Sequence, residues 1–280
     1  MAGTVYLVAT PIGNLGDLTV RARDVLSSVS FVACEDTRRS RVLTDHYGIH
    51  KELISLPAFA EGQRAGRILE RVEAGEDCAV ITDAGSPGIS DPGEKLVAEA
   101  ISRGIRVVPV PGPSAVVAAL SASGLPTGRF HFLGFLPRKG PERRALLEEI
   151  ASLRATLVLY ESPRRLGETL AELAQVLGDR RACVAREITK VHEEFVRGTL
   201  SELARAHDGV EVLGEIAVLV EGRAGSERWT EDEVQRALEE GLGQGEKLKT
   251  VATEIARRAG WSGQEVYRLG LGTLKKRTSR

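Results

Sequence analysis

Short apolar runs alternate along the first hundred residues with segments whose apolar positions recur at helical spacing. Thr4 to Ala9, Phe31 to Cys34, Glu52 to Leu56, Ala79 to Ile81 and Arg106 to Val110 read as strands. Their apolar residues run on instead of alternating, which marks strands buried on both faces and hence a mostly parallel sheet. Between them Thr19 caps a helix reaching about Ser28. Ala65, Ile68, Leu69 and Val72 share one face of a helix over Glu61 to Ala74, and another helix runs from about Glu94 to Arg103.

Pro111, Gly112 and Pro113 interrupt this rhythm before a small-residue helix, Ala115 to Ser123. A second set follows: strands at His131 to Leu136, Ala155 to Tyr160, Ala182 to Arg186, Glu194 to Arg197 and Glu215 to Val220, with helices over Pro141 to Ser152 and from Pro163 to Leu177. They predict a second sheet, parallel or mixed. The composition shifts after Gly222. A polar linker, Ala224 to Arg228, leads to Thr230 and Glu233, a capping box for a helix to about Glu240. Leu248 to Ala259, Gly260, then Trp261 to Leu271 reads as helix, turn, helix. The pattern predicts an α/β chain in three parts: an α/β domain over 1–112, a second over 113–222 and a helical extension over 223–280.

Composition narrows the function classes. Lys and Arg (38) nearly balance Asp and Glu (39), so any grip on nucleic acid comes from local patches and not from overall charge. Three scattered cysteines, without CxxC spacing, exclude a disulfide framework and a standard zinc site and fit a reducing cytoplasm. The few histidines are unclustered, so no protein-bound metal is expected. No apolar run reaches bilayer-spanning length, and Met1 to Thr10 reads as a strand and not a secretory signal.

The chemistry concentrates in loops. Asp83 to Gly93, Asp-Ala-Gly-Ser-Pro-Gly-Ile-Ser-Asp-Pro-Gly, leaves the carboxyl end of a strand, where ligands sit in open α/β sheets. Its glycines permit close backbone approach and its prolines stiffen the turn; an ordinary strand-to-helix turn capped by Ser90 or Asp91 is the plainer reading. The only asparagine, Asn14, lies in a second glycine loop, Gly13-Asn-Leu-Gly16. That spacing is wrong for a G-x-G-x-x-G dinucleotide loop, and neither a P-loop nor a G-x-S-x-G elbow occurs.

Thr10-Pro-Ile-Gly-Asn-Leu-Gly-Asp-Leu-Thr19, Glu35-Asp-Thr-Arg38, the Asp83–Gly93 loop, Pro111-Gly-Pro-Ser-Ala115, Phe135-Leu-Pro137, Tyr160-Glu-Ser-Pro163 and Ala185-Arg-Glu-Ile-Thr-Lys190 follow one another in a specific order. In that ordered set the chain resembles the tetrapyrrole methylase superfamily, in particular its branch that methylates ribosomal RNA, over essentially its whole length. The resemblance implies two α/β domains with S-adenosylmethionine (AdoMet) between them, a homodimer, and 2′-O-methylation of a cytidine ribose in the decoding region of 16S ribosomal RNA within the 30S subunit. The chain departs from the family pattern at Ala58-Phe-Ala-Glu-Gly62, where a His-Asn-Glu stretch is usual, and at Arg164-Arg165, where His-Arg is usual.

The resemblance places Pro11, Ile12, Gly85, Ser86, Ile89, Ser114, Ala115, Tyr160, Ala185 and Arg186 around the cofactor, and each lies at or just after a strand end. Plain core packing is the competing reading for Ile89, Ala115 and Ala185. A ribose hydroxyl needs its proton taken or polarised. Asp36, Asp83, Glu161 and Glu187 are candidate bases, with Asn14 and Lys190 to orient or polarise the hydroxyl; structural ion pairs are the alternative for Glu35, Asp36, Arg38 and Glu187. For RNA, Arg129 to Arg144 interleaves Arg138, Lys139, Arg143 and Arg144 with Phe130, Phe132 and Phe135. Arg38, Arg39 and Arg41 form a second patch, and Lys247, Lys249 and the basic end through Arg280 a third. The alternatives are a tetrapyrrole or protein methylase of the same superfamily, a non-catalytic RNA-binding assembly protein, and an unrelated nucleotide-sugar or phosphate enzyme.

Overall fold

The structure, a computed structural model, describes all residues except 211, 225–228, 245, 279 and 280, and omits the side chains of 257 and 274–278. The first half runs β1 (Thr4–Val8), α1 (Val20–Ser28), β2 (Phe31–Cys34), α2 (Thr37–His46), β3 (Glu52–Ser55), α3 (Glu61–Glu73), β4 (Cys78–Ile81), α4 (Glu94–Ser102) and β5 (Arg106–Val110). These strands form one parallel sheet in the order β3-β2-β4-β1-β5. Every residue of β2 and β4 is buried, as their unbroken apolar runs require. Phe31, Ala33 and Val80 pack with Ile68 and Leu69 of α3 and Leu96 of α4 on one face, and Val32 and Ile81 pack with Ala22 and Leu26 of α1 on the other. Each large side chain buried there contributes about 1.5–3 kcal/mol.

The sequence pattern leaves α2 unpredicted. Its residues are mostly polar and only Ser40, Leu43 and Thr44 are buried, so no apolar stripe announces it. The helix starts because Asp36 caps it, accepting from the Arg38 N–H at 2.8 Å.

The second half adds α5 (Ala115–Ala122), β6 (Phe130–Phe135), α6 (Pro141–Ile150), β7 (Thr156–Glu161), α7 (Leu166–Leu177), β8 (Arg181–Arg186), β9 (Glu194–Thr199), α8 (Leu200–Ala206) and β10 (Ile216–Val220). Its sheet is mixed, ordered β6-β7-β10-β8-β9, with only β6 and β7 parallel. The short helix α8 also escapes the periodic pattern, and a capping box of Thr199 and Glu202 marks its start. Residue contacts hold both sheets in one unit, Met1–Glu221, with Gly222–Arg280 as a second.

That second unit contains α9 (Glu231–Gly243), α10 (Leu248–Ala259) and α11 (Gly263–Thr278) around Val234, Leu238, Val251, Ile255 and Val266. Thr230 and Glu233 form the expected capping box, and Gly260 ends α10 in the left-handed conformation at φ +69°. Most of the expected linker, 225–228, and the last two residues of the basic end lie outside the described residues. Among the described residues no helix is long and apolar enough to cross a membrane.

Candidate active site

The loops after β1 and β4 are stitched together. Thr10 and Gly85 exchange backbone hydrogen bonds at 2.9 and 3.1 Å, and the Thr10 hydroxyl donates to the Thr82 carbonyl at 3.1 Å. Gly85 has φ +80°, and a side chain there would point at Ile12, 3.4 Å away. Beyond it, the Gly88 N–H donates to the Pro92 carbonyl at 3.1 Å and closes a tight loop. The buried Glu61 carboxylate accepts from the N–H groups of Gly93 (2.9 Å) and Leu96 (3.0 Å), pinning the loop's end to the first turn of α4. Glu61 lies in the stretch that departs from the family pattern, whereas the neighbouring Phe59 is almost fully exposed.

These loops form one wall of a cleft of about 380 Å³, and the second sheet forms the other. Ile12, Gly85, Ser86, Ile89, Ser114, Ala115 and Tyr160 all line it. Pro11, Ala185 and Arg186 do not. Ala185 is fully buried, packed with Val116 and Leu219, so the core reading applies to it. Arg186 is ion-paired with Glu194 at 3.0 Å. Ile89 is 48% exposed, which removes the core reading there.

Of the candidate bases, Asp36 is engaged elsewhere. It caps α2 and pairs with Arg38 at 2.8 Å, and the Arg38 hydrogen bonds pull its pKa down to about 2. Asp83 accepts from the Asp36 N–H at 3.2 Å and pairs with Arg39 at 3.1 Å. Glu161 lines the cleft, but its oxygens accept from Arg165 (2.7 and 2.9 Å), the Thr169 hydroxyl (2.7 Å) and the Ser162 N–H (2.6 Å). This buried carboxylate organises the end of β7. Arg165, which keeps the arginine of the family's His-Arg pair, is its cation.

Glu187 and Lys190 form the centre of a second cluster. The Lys190 ammonium lies 2.8 Å from Glu187 and 3.1 Å from Glu215, and the Glu187 carboxylate also accepts from the Glu215 N–H at 2.9 Å. The hydrogen bond from Lys190 holds Glu187 below the usual carboxylate range. Burial pulls Lys190 down, but its two carboxylate partners outweigh that and raise it. The turn carrying them is strained: Glu187 and Thr189 take φ +50° and +70° without being glycines. The Lys190 stem packs so closely on Gly13 that a Cβ there would fall 2.5 Å from its Cγ. Lys190 therefore tethers the β8 turn to the loop carrying Asn14, whose side-chain oxygen accepts from the Gly16 N–H at 3.0 Å.

The sequence marks Asp91 as a short polar group of the glycine loop and a possible helix cap, not as a base. It lines the cleft, and burial, followed by the charges of Glu35 and Asp83, pushes its pKa up to about 6. Burial, then Asp91 and Glu215, pushes the Tyr160 phenol up to about 12 and keeps it neutral. Glu215, also missed, reaches the cleft beside Gly214 at the start of β10.

The expected RNA contacts separate as well. Arg38 and Arg39 are exposed. Arg138, Lys139 and Arg144 are exposed along a groove of about 860 Å³. Arg143 is corrected: it is 7% exposed and donates to Glu172 (2.6 Å), the Pro137 carbonyl (2.9 Å) and the Thr169 hydroxyl (3.1 Å), so its guanidinium holds the fold together. Lys247 and Lys249 are exposed at the start of α10.

A family model described as Tetrapyrrole (Corrin/Porphyrin) Methylases matches residues 4–204. The chain belongs to the tetrapyrrole methylase family. Within it, the chain groups with proteins named ribosomal RNA small subunit methyltransferase I. The relative from Mesorhizobium japonicum is 45% identical, covering 94% of this chain and 90% of its own length. The one from Haemophilus influenzae is 41% identical and covers 99% of both. Solved structures share the fold. A uroporphyrin-III C-methyltransferase from Thermus thermophilus in complex with S-adenosyl homocysteine aligns at TM-score 0.56 and 24% identity, over 78% of this chain and 92% of its own. A diphthine synthase aligns at 0.62 and 16%, over 78% and 90%.

Proposed function

We propose that this protein methylates the 2′-hydroxyl of a cytidine ribose in the decoding region of 16S ribosomal RNA, with AdoMet as methyl donor. The observation that carries the reading is the near-full-length likeness to ribosomal RNA small subunit methyltransferase I proteins. The residues of the cleft fit the donor. Its volume lies in the range of small-molecule sites, its walls are mostly apolar, and Asp91 and Glu215 present negative charge to a cationic ligand. Gly85, Ser86, Ser114, Ala115 and Tyr160 would hold it, and when bound it supplies an electrophilic methyl on a sulfonium that leaves as a neutral thioether.

The protein's own task is to align the hydroxyl, exclude water and manage one proton. Asp91 is the group we assign to take it. At neutral pH it is mostly ionised, yet its pKa near 6 leaves it more basic than an ordinary carboxylate. Glu187 is too strongly held by Lys190 for that role; the pair instead fixes Lys190, whose stem packs on Gly13 of the Asn14 loop, and we assign this turn to orient the substrate. The exposed Arg138, Lys139, Arg38 and Arg39, with Lys247 and Lys249, supply phosphate contacts that the near-neutral net charge does not. The reading includes a homodimer acting in the cytoplasm on the 30S subunit.

The test is transfer of labelled methyl from AdoMet to 30S subunits lacking the modification, beside free 16S RNA and a tetrapyrrole precursor. Label in the ribosomal RNA is the expected result. Label in the tetrapyrrole, or none anywhere while AdoMet binds, overturns the substrate.

A further inference from the structure

The strand β6 contains a bulge. Phe132 stands opposite Val158 and Phe135 opposite Tyr160, so three steps on β6 match two on β7. Strand side chains alternate faces, and residues three apart would ordinarily point to opposite sides. The extra residue brings Phe135 back to the face of Phe132. Both rings meet Tyr160, at 5.1 Å for Phe132 and 5.5 Å for Phe135. Gly134 makes this possible at φ +61°, in a place where a Cβ would come 3.2 Å from the Ser90 hydroxyl. Bulges are found beside active sites, where they re-aim a side chain.

Phe135 is thereby presented to the cleft, yet it stays 58% exposed. A phenylalanine that served only the core would be covered. Three and four residues later the same chain exposes Arg138 and Lys139. An accessible aromatic face, with exposed cations three and four residues further along the chain, matches an unpaired nucleotide, whose base stacks while the strand's phosphates are neutralised.

We propose that Phe135 is the platform on which an unpaired base of the substrate RNA, the target nucleotide's own, stacks so that its ribose faces the cleft. This rests on the ribosomal RNA reading above. Phe135 is a positioning residue: it fixes the nucleotide and takes no part in proton or methyl transfer.

The test measures two constants for each variant: KM for unmethylated 30S subunits and Kd for S-adenosyl homocysteine, with thermal melting as a check on folding. Phe135→Ala should raise KM by roughly tenfold or more, the scale of one lost base–aromatic stack, and leave the Kd within about twofold. Phe135→Tyr, which keeps an aromatic face, should restore KM. A parallel rise in the Kd would make Phe135 part of the cofactor wall and overturn the proposal. So would an unchanged KM in Phe135→Ala, or a Phe135→Tyr protein that melts normally but keeps the high KM. If the wild-type protein methylates no RNA at all, the function reading fails first and the platform falls with it; that failure shows in the wild type, not in the variants.

Discussion

Two turns face one cleft from opposite halves of the fold, and their carboxylates experience opposite forces. Asp91, after β4, is raised to about 6 by burial and by the neighbouring charges of Glu35 and Asp83. Glu187, after β8, is lowered by the hydrogen bond from Lys190. Two similar side chains are thus set to different tasks by what surrounds them. Asp91 can accept a proton near neutral pH, whereas Glu187 remains an anion that holds a cation in place.

Removing Asp91 tests the contrast most severely. Asp91→Asn should lower the methylation rate by roughly a hundredfold or more, the scale of a lost general base. In the wild-type protein the rate should fall as pH drops through about 6, because acid protonates Asp91, and this limb should be absent from the residual activity of the variant. Stability should move the other way. A carboxyl whose pKa is raised by folding contributes stability below its unfolded pKa that is lost as pH rises through the folded value. Asp91→Asn removes that loss and should be more stable at pH 7 in a denaturant melt, by about 1 kcal/mol after allowing for solvent screening. A variant that is both inactive and less stable would break the comparison.

Lys190→Met addresses the other turn. It should reduce kcat by about tenfold to a hundredfold, leave the acid limb near pH 6 in place, and return Glu187 toward the ordinary carboxylate range, visible by NMR titration. Loss of the limb in this variant would mean that the two turns titrate as one unit.

The contrast between engaged and available groups extends to the basic loop after β6. Arg143→Ala removes the cation from a largely buried network and should cost about 1–3 kcal/mol in a denaturant melt. Arg138→Ala should leave the melt unchanged, weaken RNA binding modestly, and reduce the salt slope of binding by about 1. Reversal of the two results would contradict the placement of these side chains.

Much of the scaffold was legible because its strands are short apolar runs set between polar or turn-forming residues. Phe31–Cys34 and Arg106–Val110 are found where their patterns put them. The loop from Asp83 to Gly93 was legible for a related reason, since glycine and proline restrict the backbone locally. What escaped depends on distant neighbours. The inward turn of Arg143 follows from Glu172 and Thr169 on α7, and nothing in its own segment announces it. The raised pKa of Asp91 needs its burial in the cleft and, after that, Glu35 and Asp83 brought alongside by the parallel sheet. The bulge at Gly134 was hidden too, because a single glycine in a strand pattern does not say which way the next side chain will face. Asp36 had a local signal, the residue before a helix, but that helix was itself too polar to see.

The most direct test of the account is the identity of the modified nucleoside. Ribosomal RNA from 30S subunits methylated by the protein in vitro would be digested to nucleosides and resolved by mass spectrometry. The account predicts a gain of 2′-O-methylcytidine and of no other modified nucleoside. A methyl group on a base, on a different nucleoside, or on a non-RNA substrate instead would contradict it.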